Sequence, residues 1–166
     1  MPGGAAAGGF GWLRPGPAPL DWRQVRIPSG AVLAFPSGWK QEGGDVGTAT
    51  AVLGDGRHEL LGYLNLTPRQ GAETLRDWAS FRARHNALEG ERRVETLAAG
   101  AGLRFRTGRG SCVRDAYTTA TGERFIELAC LVVGPKATSV IVGAAPPGAW
   151  SQISPVIERA ISALTT

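Results

Sequence analysis

The stretch that most constrains this chain is Cys112–Cys130, CVRDAYTTATGERFIELAC, which carries the only two cysteines at its ends. Ala120-Thr121-Gly122 separates two β-rich runs, and Gly122 suits a left-handed turn position, so the stretch reads as a β-hairpin. A loop centred on Thr121 leaves the cysteines equidistant from the turn and face to face across the ladder, where a disulfide is geometrically possible. A two-residue loop at Thr121-Gly122 shifts them by one position, onto opposite sheet faces. The first register also sets Asp115 opposite Glu127, and facing like charges are unfavourable unless a bulge separates them. A Cys112–Cys130 disulfide is the favoured reading, and two buried reduced thiols are its alternative. The disulfide implies an extracytoplasmic protein, in the cell envelope or secreted; free thiols imply a cytoplasmic one. Zinc finds little support, because there is no close cysteine pair and only His58 and His85 to complete a site.

Alternating apolar patterns predict further strands at Trp22–Ile27, Ala31–Phe35, Thr48–Leu53 and Glu59–Thr67, the last with Leu60, Gly62, Leu64 and Leu66 on one side. The period then changes. Ala72–Leu88 places Leu75, Trp78, Phe81 or Arg82, His85 and Leu88 at helical spacing, with Gly90 as a stop. Strands resume at Arg92–Leu97, Leu103–Thr107, Cys112–Thr119, Glu123–Val133 and Ser139–Ala144, with turns at Gly100-Ala101-Gly102 and Gly134-Pro135-Lys136. Trp150–Leu164 closes the chain as an amphipathic helix with a stripe of Trp150, Ile153, Ile157, Ala160, Ile161 and Leu164. Pro155 is tolerated there if Ser154 caps the helix, or if the proline lies in its first turns. Hairpin-length links and two helical stripes predict an α+β fold, a largely antiparallel sheet flanked by helices.

A length of 166 residues suits one domain, expected over residues 22–166. Residues 1–21, MPGGAAAGGFGWLRPGPAPLD, read as a Gly/Ala/Pro-rich linker or tail. They lack the charged start and leucine-rich core of a signal peptide, which suits a cytoplasmic protein or one whose export segment has been removed. No apolar run is long enough for a transmembrane segment. The net charge is +4, and Lys40 and Lys136 are the only lysines, so arginine carries the rest of the positive charge. Abundant Arg, Ala and Gly also match a GC-rich genome.

Phe35-Pro36-Ser37-Gly38-Trp39-Lys40, at the end of an early strand, resembles a recurring turn of the PsbP-like superfamily, an aromatic-Pro-x-x-Trp sequence carried here by Phe35, Pro36 and Trp39. The layout from Trp22 onward and the closing helix Ser154–Leu164 also resemble that group. It includes a photosystem extrinsic subunit, a eukaryotic Ran-binding relative, and envelope lipoproteins of the LpqN and DcrB type. The resemblance implies an antiparallel sheet sandwiched by helices, an α/β/α arrangement. The GC-rich composition leans toward the actinobacterial lipoprotein branch, although no lipobox cysteine is present. In the turn itself, Pro36 fixes φ and Gly38 permits a positive φ. Trp39 can then fold back over the core edge and donate its indole N–H to a backbone carbonyl.

No set of catalytic residues stands out, and no cofactor is implied. There is no Gly-x-Ser-x-Gly elbow, Walker loop or metal-binding histidine spacing. Gly108-Arg109-Gly110-Ser111 precedes a strand and reads as a bend or bulge. His85 reads as a helix-edge residue and His58 as a loop or strand-start residue. Arg82, Arg84, Arg92, Arg93, Arg104, Arg106, Arg109 and Arg114 form the notable basic cluster. Arg82, Arg104, Arg106 and Arg109 are the candidate contacts for an envelope protein, an anionic lipid or a cell-wall polymer. Nucleic acid is disfavoured, because no known module fits. The leading expectation is a non-enzymatic binding or accessory domain at the bacterial envelope. A second is a carrier of a small apolar ligand between sheet and helix, walled by Trp39, Trp78 and Trp150. A third is a thiol enzyme using Cys112 with His85.

Overall fold

The computed structural model describes residues 9–57 and 59–166, so His58 and the first eight residues of the expected linker lie outside the described residues. Among the described residues nine strands form: β1 (Arg23–Arg26), β2 (Val32–Phe35), β3 (Lys40–Glu42), β4 (Ala49–Gly54), β5 (Leu60–Pro68), β6 (Arg92–Arg104), β7 (Arg109–Thr118), β8 (Arg124–Val133) and β9 (Thr138–Ala145). Two α-helices of the described residues join them, α1 (Trp78–Leu88) and α2 (Trp150–Ala163). β1 and β2 make a separate hairpin, and the other seven strands form one antiparallel sheet in the order β3-β4-β5-β9-β8-β7-β6.

Local pairing accounts for most of that order, since β6 to β9 are consecutive neighbours. The long-range step is β9 against β5, with Leu64 opposite Gly143 and Leu66 opposite Ile141. It requires the chain to cross from β5 to the far edge of the sheet, and α1 makes that crossing.

Each sheet face has its own cover. One face buries Leu64, Leu66, Cys112, Leu128, Cys130 and Ile141 beneath α2 and the β1–β2 hairpin. Ile153, Ile157, Ala160, Ile161 and Leu164 of α2 face this core, as the apolar stripe predicts. Gly143 lets α2 approach closely, because a Cβ there would collide with Ile157. Pro155 sits inside α2, on its exposed side, where one missing hydrogen bond is least disruptive. The other face packs Trp78 of α1 against Val113, Ala129, Leu131, Val140 and Val142. Helices therefore lie on both sides of the sheet, giving the expected α+β sandwich.

Several boundaries differ from the sequence reading. The helix expected from Ala72 begins at Trp78. Thr74 Oγ1 accepts the Asp77 N–H at 3.2 Å and holds the preceding residues in turns. Gly100-Ala101-Gly102 is no turn between strands. β6 runs on through it with register shifts, Gly102 taking φ +66°. The chain reverses after Phe105, whose N–H bonds to the carbonyl of Gly108, so the bend expected near Gly108 is present. Strand β3 has no apolar alternation to announce it, because all three residues are exposed. The expected linker also contributes structure: Phe10 is buried in the main core, Trp12 and Leu13 pack on it, and Arg14 N–H donates to Ser162 Oγ at 3.2 Å.

Trp39 folds back over the core as the opening turn predicts, and its N–H closes the turn on the Pro36 carbonyl at 3.0 Å. Gly38, however, does not take a positive φ. Gly62 is the glycine that this tryptophan needs, since a Cβ there would lie 2.7 Å from Trp39 Cη2. The indole-to-carbonyl bond expected of Trp39 is made by Trp78, whose Nε1–H donates to the Ala129 carbonyl at 2.8 Å.

Candidate functional site

The disulfide bridges Cys112 and Cys130, which face each other across β7 and β8 with their Cα atoms 4.1 Å apart. The Thr121-centred register is therefore the one adopted, and no bulge relieves its acidic pair: Asp115 stands opposite Glu127. Both side chains are buried on the face that carries α1. This strip of β7 and β8 is the floor of a cleft.

The cleft exists because α1 is narrow relative to the sheet. A helix with its side chains is about 10–12 Å across, whereas seven strands spaced about 4.8 Å apart cover about 29 Å. The helix packs over β6 and β7 and leaves the β4–β5–β9 part of the face uncovered. A cavity of about 840 Å³ results, lined by α1, the face of β4, β5, β9 and β8, Tyr117 of β7, and the segments around Asp45 and Glu73. Of the three tryptophans expected to wall a ligand, only Trp78 lines it. Trp39 and Trp150 pack with the core on the opposite side of the sheet. The lining is polar as well as apolar, with Thr50, Asn65, Arg82 and Asn86 among its residues.

An ion pair anchors the floor. Arg82 donates through Nε to Glu127 Oε1 at 3.0 Å and through Nη2 to Oε2 at 3.1 Å, and Asn86 Nδ2 donates to Oε1 at 2.8 Å. Trp78, Arg82 and Asn86 are spaced at i, i+4 and i+8, so the inner face of α1 carries two polar side chains where an apolar stripe was expected. Leu88, assigned to that stripe, is exposed. Burial works against the Arg82 charge, but the attraction of Glu127 outweighs it and raises the guanidinium pKa. Asp115 has no such partner: it is fully buried, and neither carboxylate oxygen has a well-formed hydrogen bond. Burial and then the charge of Glu127 push its pKa to about 6, while Thr96 and Arg82 pull the other way.

The remaining candidates are dispersed. Arg82 lies in this buried pair and is not on an open surface. Arg104 and Arg109 are exposed cross-strand neighbours at one end of the β6–β7 hairpin. Arg106, in the turn between them, donates to the Ala163 carbonyl at 3.3 Å. Arg92 is at the opposite end of the 13-residue β6. The basic cluster thus divides into separate patches. His85 lines the cleft, 3.5 Å from Glu89. Cys112 is buried on the other face and held in the disulfide, so the expected Cys112–His85 thiol site is not assembled.

A strand-rich α/β/α sandwich with an open cleft under a crossover helix is the class that these features define, and the fold is PsbP-like. No protein-family model matches the chain, and no curated protein matches it in sequence. Among solved structures it is similar to cyanobacterial PsbP (CyanoP) from Synechocystis sp. PCC 6803, with a TM-score of 0.59 and 13% identity over 88% of this chain and 92% of that one. It is also similar to a protein of unknown function from Pseudomonas aeruginosa, with a TM-score of 0.56 and 12% identity over 87% and 96% of the two chains. LpqN, involved in cell envelope biogenesis of Mycobacterium tuberculosis, superposes more loosely, with a TM-score of 0.45 and 13% identity over 90% and 80%. At these identities the likeness concerns the fold alone.

Proposed function

We propose that this protein is a non-enzymatic, extracytoplasmic binding domain that takes its ligand in the cleft between α1 and the sheet. The cavity of about 840 Å³ carries this reading. It is the size of a small-molecule site, and its mixed lining favours a polar or amphipathic ligand over the purely apolar cargo expected from the tryptophans. The Cys112–Cys130 disulfide supports an oxidising compartment. Among the described residues no helix is long and apolar enough to cross a membrane.

A second reading has its own observation. Arg104 faces Arg109 across the ladder. Facing like charges are destabilising, which an anionic partner at that hairpin end would offset. One comparison tests both readings. Protein isolated from its host envelope is examined by native mass spectrometry beside Thr50→Trp, which fills the cleft, and Arg104→Glu/Arg109→Glu. The cleft reading expects a bound small molecule that Thr50→Trp loses and the arginine variant keeps. Identical spectra without any adduct overturn it. Loss of sedimentation with anionic vesicles in the arginine variant alone would support the second reading.

A further inference from the structure

The cleft gathers carboxylates in a chain that is basic overall. Asp45, Glu73, Glu89, Glu91 and Glu127 line it, while the net charge of the chain is +4. Among the described residues Arg82 is the only arginine or lysine in that lining, and Glu127 already engages it through two hydrogen bonds. The remaining carboxylates leave the cleft negative.

Glu73 is the telling member. It is 6% exposed; its Oε2 accepts the Gln70 N–H at 3.2 Å, and its Oε1 has no hydrogen-bond partner. A buried carboxylate oxygen without a donor is costly unless something supplies one. Glu91, also in the lining, has a buried and likewise unpartnered Oε2. Titration behaviour reflects the same field. Burial first, then the charges of Glu127 and Glu89, raise the pKa of Glu91. Burial first, then Glu127 and Glu91, raise that of Tyr117.

Aromatic rings supply the second element of the site. Along α1, Trp78 stacks on Phe81 with centroids 6.0 Å apart, and Phe81 stacks on His85 at 6.3 Å. From the β7–β8 ladder, Tyr117 and Phe125 contribute a ring pair 6.2 Å apart. All five line the cleft. Aromatic faces attract cations, and quaternary ammonium groups above all. Among the described residues no three acidic, histidine or cysteine side chains converge closely enough to hold a metal ion. Carboxylates spread around aromatic rings suit a larger, diffuse cation.

We propose that the cleft binds an organic ammonium ion, a protonated or quaternary amine, with Glu73 and Glu91 as counter-charges and the rings of α1 and the β7–β8 ladder as its π contacts. This inference rests on the ligand-binding reading of the cleft and names the chemical class of the ligand. Its test is calorimetric titration of the intact protein with benzyltrimethylammonium, benzyl alcohol and benzoate, with nuclear magnetic resonance locating the contacts. Saturable binding of the cation that perturbs Phe81 and Tyr117 is expected, with no binding of benzoate. Glu73→Gln is expected to weaken the cation roughly tenfold and Phe81→Ala to weaken it as well, with thermal unfolding verifying that both variants fold. Absence of cation binding, equal binding of benzoate, or unchanged affinity in both folded variants overturns the proposal. Benzyl alcohol or benzoate seated in the cleft without the cation overturns the charge assignment alone and leaves the ligand-binding reading standing.

Discussion

Asp115 and Glu127 meet across the β7–β8 ladder, and the protein accommodates the two acids differently. Glu127 is held by Arg82 and Asn86, whereas Asp115 is buried without a well-formed partner and titrates at about 6. Its ordinary value is 3.8, so between about pH 4 and 6 the folded protein keeps a proton that the unfolded chain has released. Stability therefore falls as pH rises through that window and levels off above it. Asp115→Asn removes the charge and is expected to stabilise the protein above pH 6 by an amount on the order of 1–3 kcal/mol, with the difference vanishing near pH 4. Urea unfolding across that range checks it; a pH-independent difference would assign the effect to packing. The opposition of the two acids is legible in sequence, because hairpin arithmetic pairs residues on either side of a turn. Arg82 as the answering charge is not legible, because helical periodicity does not say which sheet residue a helix will meet.

At the scale of the element, α1 depends on that charge. Arg82→Met strands a buried carboxylate and is expected to cost about 3–5 kcal/mol. Arg82→Met combined with Glu127→Met removes both charges and is expected to recover most of the loss, as measured by a double-mutant cycle in denaturant. Equal destabilisation by the single and double variants would mean that Asn86, left without its acceptor, dominates. Strand β6 illustrates the limits of local reading. Gly100-Ala101-Gly102 has the composition of a turn, yet pairing with β7 carries the backbone through it with shifted register. Helix α2 was legible because its stripe meets a continuous apolar face; α1 was less so because its inner face carries Arg82 and Asn86.

Over the whole molecule, the disulfide ties the hairpin at the centre of the main core, where Cys112 and Cys130 are both buried. It closes a separation of 18 residues, for which chain-entropy reasoning gives about 3 kcal/mol. Reduction, or Cys112→Ala/Cys130→Ala, is expected to lower stability by about 2–4 kcal/mol. Intact mass after alkylation of the denatured protein, with and without reduction, verifies the bridge in protein isolated from its native compartment. Thiols that label freely before reduction would remove the principal argument for export.

The sequence by itself determined the hairpins other than β3–β4 and β6–β7, the closing helix and the α+β class, and it favoured the facing cysteines, because each follows from contacts between residues near in the chain or from one period sustained over an element. Tertiary structure decided the rest. The seating of Trp39 over Gly62, the burial of Phe10, the dispersal of the arginines and the Arg82–Glu127 pair all depend on elements distant in sequence. The cleft itself follows from a mismatch of size, a single helix packed on one part of a seven-stranded sheet, and that mismatch acquires a location only once β9 has paired with β5.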